Sequence, residues 1–182
     1  MNFHRLNFLL TIIVYTTIVP PHMAGLIARE LKQTRAFTSR EQEVLLGLQI
    51  VATRIMEPWE KFLKTTAELT LHQYNVLRIL RGSHPGGLPS GEIATRMIAR
   101  DPDVTRLVDR LERRDLVTRI RGRRDRRVVQ VAITKKGLDL LRRLDDYVDR
   151  FPRNMLGHLG PRKLEQLRTL LEQSLTDLGT FP

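Results

Sequence analysis

Behind Ser39, apolar residues recur every three or four positions: Val44, Leu45, Leu48, Val51, Ile55, Trp59, Phe62 and Leu63. That spacing matches the helical turn and predicts a long amphipathic helix over about residues 39–65. Ser39 and Gln42 form an S-x-x-Q capping box at its start, and Pro58 predicts a kink within it. Thr70 and Gln73 make a second box. It opens a shorter helix carrying Leu71, Tyr74, Leu77 and Leu80, which stops at Arg81-Gly82. Residues Ser83 to Gly87 (SHPGG) have the composition of a loop.

From Leu88 the predicted elements shorten. Ser90 to Ile98 makes a short helix with Ile93, Ala94, Met97 and Ile98 facing inward. Asp101 reads as an N-cap with Pro102 at the first helical position. The helix that follows, Asp103 to Arg114, buries Val104, Leu107, Val108 and Leu111 and exposes Thr105, Arg106, Asp109, Arg110 and Arg113. Two such helices across a tight turn fit a helix-turn-helix. The period then changes to two, loosely over residues 116–121 and clearly at Val129, Val131 and Ile133. The charged segment Gly122 to Arg126 is the tip of the resulting hairpin. Thr134 caps a long helix with Leu138, Leu141, Leu144, Tyr147, Val148 and Phe151, closed by Pro152. Gly160-Pro161 starts a last helix with a stripe of Leu164, Leu167, Leu170, Leu171, Leu175 and Leu178. The predicted fold is mainly α with a small β-hairpin wing: a winged helix-turn-helix at about 69–137, flanked by long helices at about 39–65 and 134–178.

Composition narrows the function classes. With 182 residues and 41% hydrophobic positions, the chain can bury a core, and one domain over residues 23–182 is expected. The absence of cysteine excludes disulfides, thiol nucleophiles and thiolate zinc sites. Five scattered histidines, with no pair at i, i+4, predict no metal and no cofactor. Residues 1–22 stand apart: Arg5 precedes an apolar run, Phe8 to Val19, that ends at Pro20-Pro21. The run is too short to span a bilayer, which needs about 20 residues. Three readings remain open for it: translation starting at Met23, a loosely ordered extension, or a targeting segment.

Charge adds the strongest functional signal. Of a formal net charge of +11, residues 93–143 contribute 16 Lys and Arg against 7 Asp and Glu. A local basic field of this kind suggests a polyanionic partner. Thr105, Arg106 and Arg110 are the candidates for reading bases, because short polar and arginine side chains on one helix can enter a major groove about 12 Å wide. Six arginines fall within nine residues of the hairpin (Arg119, Arg121, Arg123, Arg124, Arg126 and Arg127), around the single acid Asp125. An arginine at such a tip can enter a narrow minor groove, and Asp125 can hold Arg127 in one rotamer by a bidentate pair. The competing reading is an edge hairpin guarded from aggregation by its charges.

The last leucine stripe, with Leu164, Leu167, Leu171 and Leu175 as its contact positions, is too apolar for a lone helical arm and predicts a homodimer. Trp59 and His72 are weak ligand candidates; a core tryptophan and a partly solvated histidine are the plainer readings. Enzyme chemistry has no visible site: the chain lacks G-x-S-x-G, G-x-G-x-x-G and the P-loop pattern.

Four segments carry a resemblance: LTLHQYNVLRIL (69–80), LPSGEIATRM (88–97), DPDVTRLVDRLERRDLV (101–117) and DRRVVQVAITKKG (125–137). Together they are similar to the MarR family of bacterial transcriptional regulators over about residues 40–178. The resemblance implies an obligate homodimer built from the terminal helices, with each winged helix reading half of a pseudo-palindromic operator. It assigns base contacts to Thr105, Arg106 and Arg110, and wing contacts to Arg124 and to Arg127 oriented by Asp125. It also implies release from DNA by a small aromatic or phenolic effector bound between the dimer arms and the DNA-binding lobes. Two positions depart from the pattern. Pro89 stands where a capping Ser or Thr is common, and Asp115 stands where a glycine usually follows the recognition helix, which makes a left-handed residue there strained.

The expected function is therefore a sequence-specific, dimeric transcriptional regulator, a repressor, cytoplasmic and nucleoid-associated, with no catalytic activity. The alternative is a basic winged-helix protein that binds nucleic acid without sequence preference. A third reading, association with an anionic membrane, rests on residues 8–19 alone.

Overall fold

The computed structural model describes residues 25–98, 103–121 and 129–176. They fall into two compact units that divide between Pro58 and Trp59. In the first, α1 (Leu26–Glu30) is a short helix that the hydrophobic pattern does not announce. It is tied to the next helix by an ion pair from Arg54 to Glu30. That helix, α2 (Arg40–Ala67), crosses the division and continues through Pro58, a residue with no N–H to offer the carbonyl of Arg54. Ser39 caps α2 by accepting from the Gln42 backbone N–H at 3.1 Å. Gln42 reaches one residue further back than a capping box requires, accepting from the backbone N–H of Thr38 at 2.8 Å and from its hydroxyl at 2.9 Å.

The second unit holds the core. Its central helix α3 (Leu71–Arg81) has the predicted capping box, with Thr70 and Gln73 each satisfying the other's backbone N–H. Seven of its residues are buried, from Gln73 to Leu80. Buried Asn75 is satisfied, accepting from the Arg78 guanidinium at 2.9 Å and facing the Met97 sulfur at 3.6 Å. Helix α4 (Ser90–Thr95) is shorter than the pattern suggests. Pro89 occupies its N-cap without a side-chain hydrogen bond. Ile93 and Met97 are buried as expected, whereas Ile98 is 85% exposed. The helix ends at Arg96, so the 3.6-residue period no longer places Ile98 on the inner face.

Helix α5 (Val104–Glu112) packs on α3 and α4 through Val104, Leu107, Val108 and Leu111. Its N-cap is Asp103, whose side chain accepts from the Arg106 backbone N–H at 3.2 Å; Asp101, the expected N-cap, and Pro102, expected at the first helical position, lie outside the described residues. At its end Asp115 takes φ 56°, the left-handed conformation anticipated for this position. The N–H of Leu116 donates back to the Leu111 carbonyl at 3.0 Å, the long-range bond of a Schellman terminus.

Strands β1 (Val117–Arg121) and β2 (Val129–Ile133) pair antiparallel, from Val117 opposite Ile133 to Arg121 opposite Val129. Leu88 adds a single antiparallel bridge to Val131, with bonds of 2.9 and 2.8 Å. Gly87 permits this approach, since a Cβ there would stand 2.8 Å from the Val131 carbonyl oxygen. Val129 was expected on the inner face but is 50% exposed, because it lies at the tip end of the strand, beyond the core that covers Val131 and Ile133.

Thr134 caps α6 (Lys135–Leu156) as predicted, accepting from Gly137 N–H at 3.1 Å. Gly137 lets the first turn sit against the backbone that leads from α5 into β1: a Cβ there would collide with the Leu116 carbonyl oxygen. The helix does not close at Pro152 but runs one turn past it, and the buried Phe151 anchors that last stretch. A 3-10 turn, Gly157–Leu159, leads to α7 (Gly160–Thr176), none of whose residues is buried. Among the described residues no helix is long and apolar enough to cross a membrane.

Candidate nucleic-acid interface

The outer side of α5 carries the predicted base-reading residues. Thr105, Arg106, Arg110 and Arg113 are all exposed, and the last three stand at i, i+4 and i+7, one stripe of the helix. The nine residues of α5 span about 13 Å at 1.5 Å per residue, a length that fits along a groove about 12 Å wide. The same residue that caps the helix also positions its first arginine. Asp103 pairs with the Arg106 guanidinium at 2.9 Å while its other oxygen takes the backbone N–H. The Arg106 side chain is 77% exposed, so this contact steers the guanidinium without removing it from solvent.

Two acids on α5 would oppose a polyanion, and β1 neutralises both. Arg119 donates from one guanidinium nitrogen to Asp109 and from another to Glu112, and its backbone N–H donates to Glu112 at 3.1 Å. The hydrogen bond to Asp109, with the charges of both acids, holds the Arg119 pKa above the ordinary guanidinium value against partial burial. Arg119 was expected among the DNA-facing arginines of the wing. The structure reassigns it to a strut between β1 and α5, because two carboxylates one helical turn apart offer a fork-shaped partner closer than any phosphate. The signal was present in the sequence as Asp109 and Glu112 at i, i+3, but periodicity does not say which strand passes over them.

Arg114, just beyond α5, is a second strut. It donates to the last carbonyl of α2, Ala67 at 2.9 Å, and to that of Glu68 just beyond it at 2.7 Å, groups that a helix end leaves without intrahelical partners. No sequence signal marked this residue. The wing residues Arg124, Asp125 and Arg127 lie outside the described residues, as do Arg123 and Arg126.

The weak ligand candidates separate. Trp59 is 8% exposed, stacked on Phe62 and Tyr147 and edge-on to Tyr74 at 5.3 Å, with Phe151 at 5.2 Å. Its neighbours are core aromatics. Burial in the same cluster raises the Tyr74 pKa, opposed by the charges of Arg81 and Arg78. His72 is half-buried on the first turn of α3. Of the dimer candidates, Leu164 and Leu167 are half-buried, while Leu171 and Leu175 are exposed.

A family model described as MarR matches residues 69–129, from the start of α3 to the start of β2. The homoprotocatechuate degradative operon repressor of Escherichia coli is 30% identical over 105 residues, covering 58% of this chain and 70% of that protein. The chain belongs to the MarR family. A crystal structure of a MarR transcription factor from Planctomyces limnophilus superposes with a TM-score of 0.56 at 41% identity, over 76% of this chain and 99% of that one. The MepR–DNA complex of S. aureus, 22% identical with a TM-score of 0.64 over 71% of this chain and 93% of that one, shares the fold. As a MarR-family protein the chain is a DNA-binding transcriptional regulator of winged-helix fold.

Proposed function

We infer that this regulator is a repressor that binds a pseudo-palindromic operator as a homodimer in the cytoplasm, with residues 23–182 acting as one functional domain. One observation carries the reading: α5 turns Thr105, Arg106 and Arg110 to solvent while Arg119 cancels the acids beside them. The outward field of the helix is then set by arginines, which suits bidentate contact with guanine. Arg124 and Arg127, with Asp125 orienting the latter, extend the contact into the minor groove. The second copy covers the α7 stripe at Leu164, Leu167, Leu171 and Leu175, a helix with no fully buried residue within its own chain. A small aromatic or phenolic effector releases the operator. The relative named for a homoprotocatechuate degradative operon supports repression as the mode of control.

Footprinting the purified protein on the DNA flanking its own gene tests this reading. One protected palindrome, bound roughly 10³–10⁷-fold more tightly than random DNA, is expected. Equal affinity for both DNAs would leave a basic protein without sequence preference.

A further inference from the structure

The three arginines on the outer stripe of α5 are not held alike. Arg106 is paired with Asp103, whereas the side chains of Arg110 and Arg113 have no hydrogen bond or ion pair among the described residues. The contact engages a particular edge of the guanidinium: Oδ2 of Asp103 lies 2.9 Å from Nε of Arg106. The other carboxylate oxygen, Oδ1, accepts from the backbone N–H of Arg106 at 3.2 Å. The start of the helix thus orients the carboxylate, and the carboxylate orients the guanidinium. With 77% of the Arg106 side chain exposed, the pair adds little stability. Its consequence is directional.

A guanidinium presents two donor edges, one that includes Nε and one formed by its two terminal nitrogens. Asp103 occupies the first and leaves the second. Two parallel donors match the O6 and N7 acceptors of guanine in the major groove, whereas adenine sets N7 beside a donor and thymine offers O4 alone. An arginine that is not held has another partner everywhere on DNA, because the backbone phosphates accept without regard to sequence. The carboxylate opposes that alternative by its charge. It stands at the N-terminus of α5, the end of a helix that otherwise attracts phosphate. The other acids of α5, Asp109 and Glu112, are neutralised by Arg119; Asp103 instead faces an arginine of the outer stripe.

We propose that Asp103 is a specificity-determining positioning residue, which turns Arg106 toward guanine and away from phosphate. It lowers affinity for DNA in general and sharpens the choice of base, a discrimination built partly from repulsion. Because Arg106 is placed before DNA arrives, less rotamer freedom is lost on binding. The proposal rests on the base-reading role of Arg106 inferred above; it does not depend on the dimer or on the wing.

Selection from a randomised duplex library by the purified full chain, with affinities then measured for selected and random DNA, tests this. Asp103→Asn keeps an oxygen to cap α5, and asparagine caps as well as aspartate, but it removes the charge and the acceptor facing Nε. Preference for guanine at the position that Arg106 contacts should fall about fivefold, the lower end of what one bidentate pair supplies. Affinity for random DNA should rise a few-fold, since a like charge is removed from near the phosphates. In an Arg106→Ala background the same substitution should leave base preference unchanged, with no guanidinium to orient. If Arg106→Ala abolishes the preference and Asp103→Asn does not, the proposal is overturned and the base-reading role of Arg106 stands. If Arg106→Ala leaves the preference intact, that role is lost and the proposal with it. A preference that Asp103→Asn lowers equally in both backgrounds would give Asp103 a base contact of its own and end its assignment as a positioning residue. Affinities for selected and random DNA that fall together would reduce it to a helix cap.

Discussion

Two leucine-rich helices of this chain share a period and end in opposite states. On α5, Val104, Leu107, Val108 and Leu111 are all under 9% exposed, covered by α3 and α4. On α7, Leu170, Leu171 and Leu175 remain 43–70% exposed, and no residue is buried. The first half of α2 behaves like α7, with Val44, Leu45, Leu48 and Val51 at 44–58%. A hydrophobic stripe states that a helix needs a cover. It does not state whether the cover comes from the same chain. The winged helix closes its own core, whereas α7 and the first half of α2 leave theirs exposed in the single chain, the stripe that the proposed second copy would cover.

The strongest way to break this contrast is to place a charge in the uncovered stripe. Leu171→Asp puts one buried carboxylate in each half of the proposed two-fold interface, and an unpaired buried charge costs roughly 3–5 kcal/mol. Sedimentation should show monomer or insoluble protein. A wild-type chain that is already a monodisperse monomer at micromolar concentration would refute the dimer. The converse change is made in the covered stripe: Leu111→Ala, at a fully buried position, should lower stability by about 2–5 kcal/mol. Thermal unfolding that moves only marginally would mean that α5 is not anchored as described.

A smaller pair of effects separates the arginines themselves. Arg106→Ala should cost ~1–3 kcal/mol on the operator and much less on random DNA, because a base contact is lost. Arg119→Gln should weaken both DNAs while leaving the dependence of affinity on salt unchanged, since a strut neutralises no phosphate. A fall in the salt slope of about 0.9, the value of one phosphate contact, would return Arg119 to the DNA surface.

The sequence announced what depends on local rules. The Thr70 box, the α5 core face, the hairpin and the Thr134 cap all follow from spacing and capping chemistry. Asp115 was singled out as left-handed and adopts φ 56°. Misreadings arose where tertiary packing outweighed a local signal. Pro152 was expected to stop α6, yet Phe151 beside it is held against Trp59 and Tyr147, and the helix passes through. Ile98 was given an inward face by extending a period beyond the last helical turn. The two struts were hidden for a related reason: Arg119 and Arg114 find partners 7–10 and 46–47 residues away, on elements whose approach no period encodes.

Whether two copies read one site in a fixed spacing is tested by changing only the DNA. Inserting five base pairs between the half-sites of the footprinted palindrome keeps every base contact but turns one half-site by about half a helical turn, since half-sites repeat at 10–10.5 base pairs. Operator affinity should then fall to that of a single half-site. An unchanged affinity would show that the copies bind independently, and the dimeric reading of the uncovered helices would be wrong.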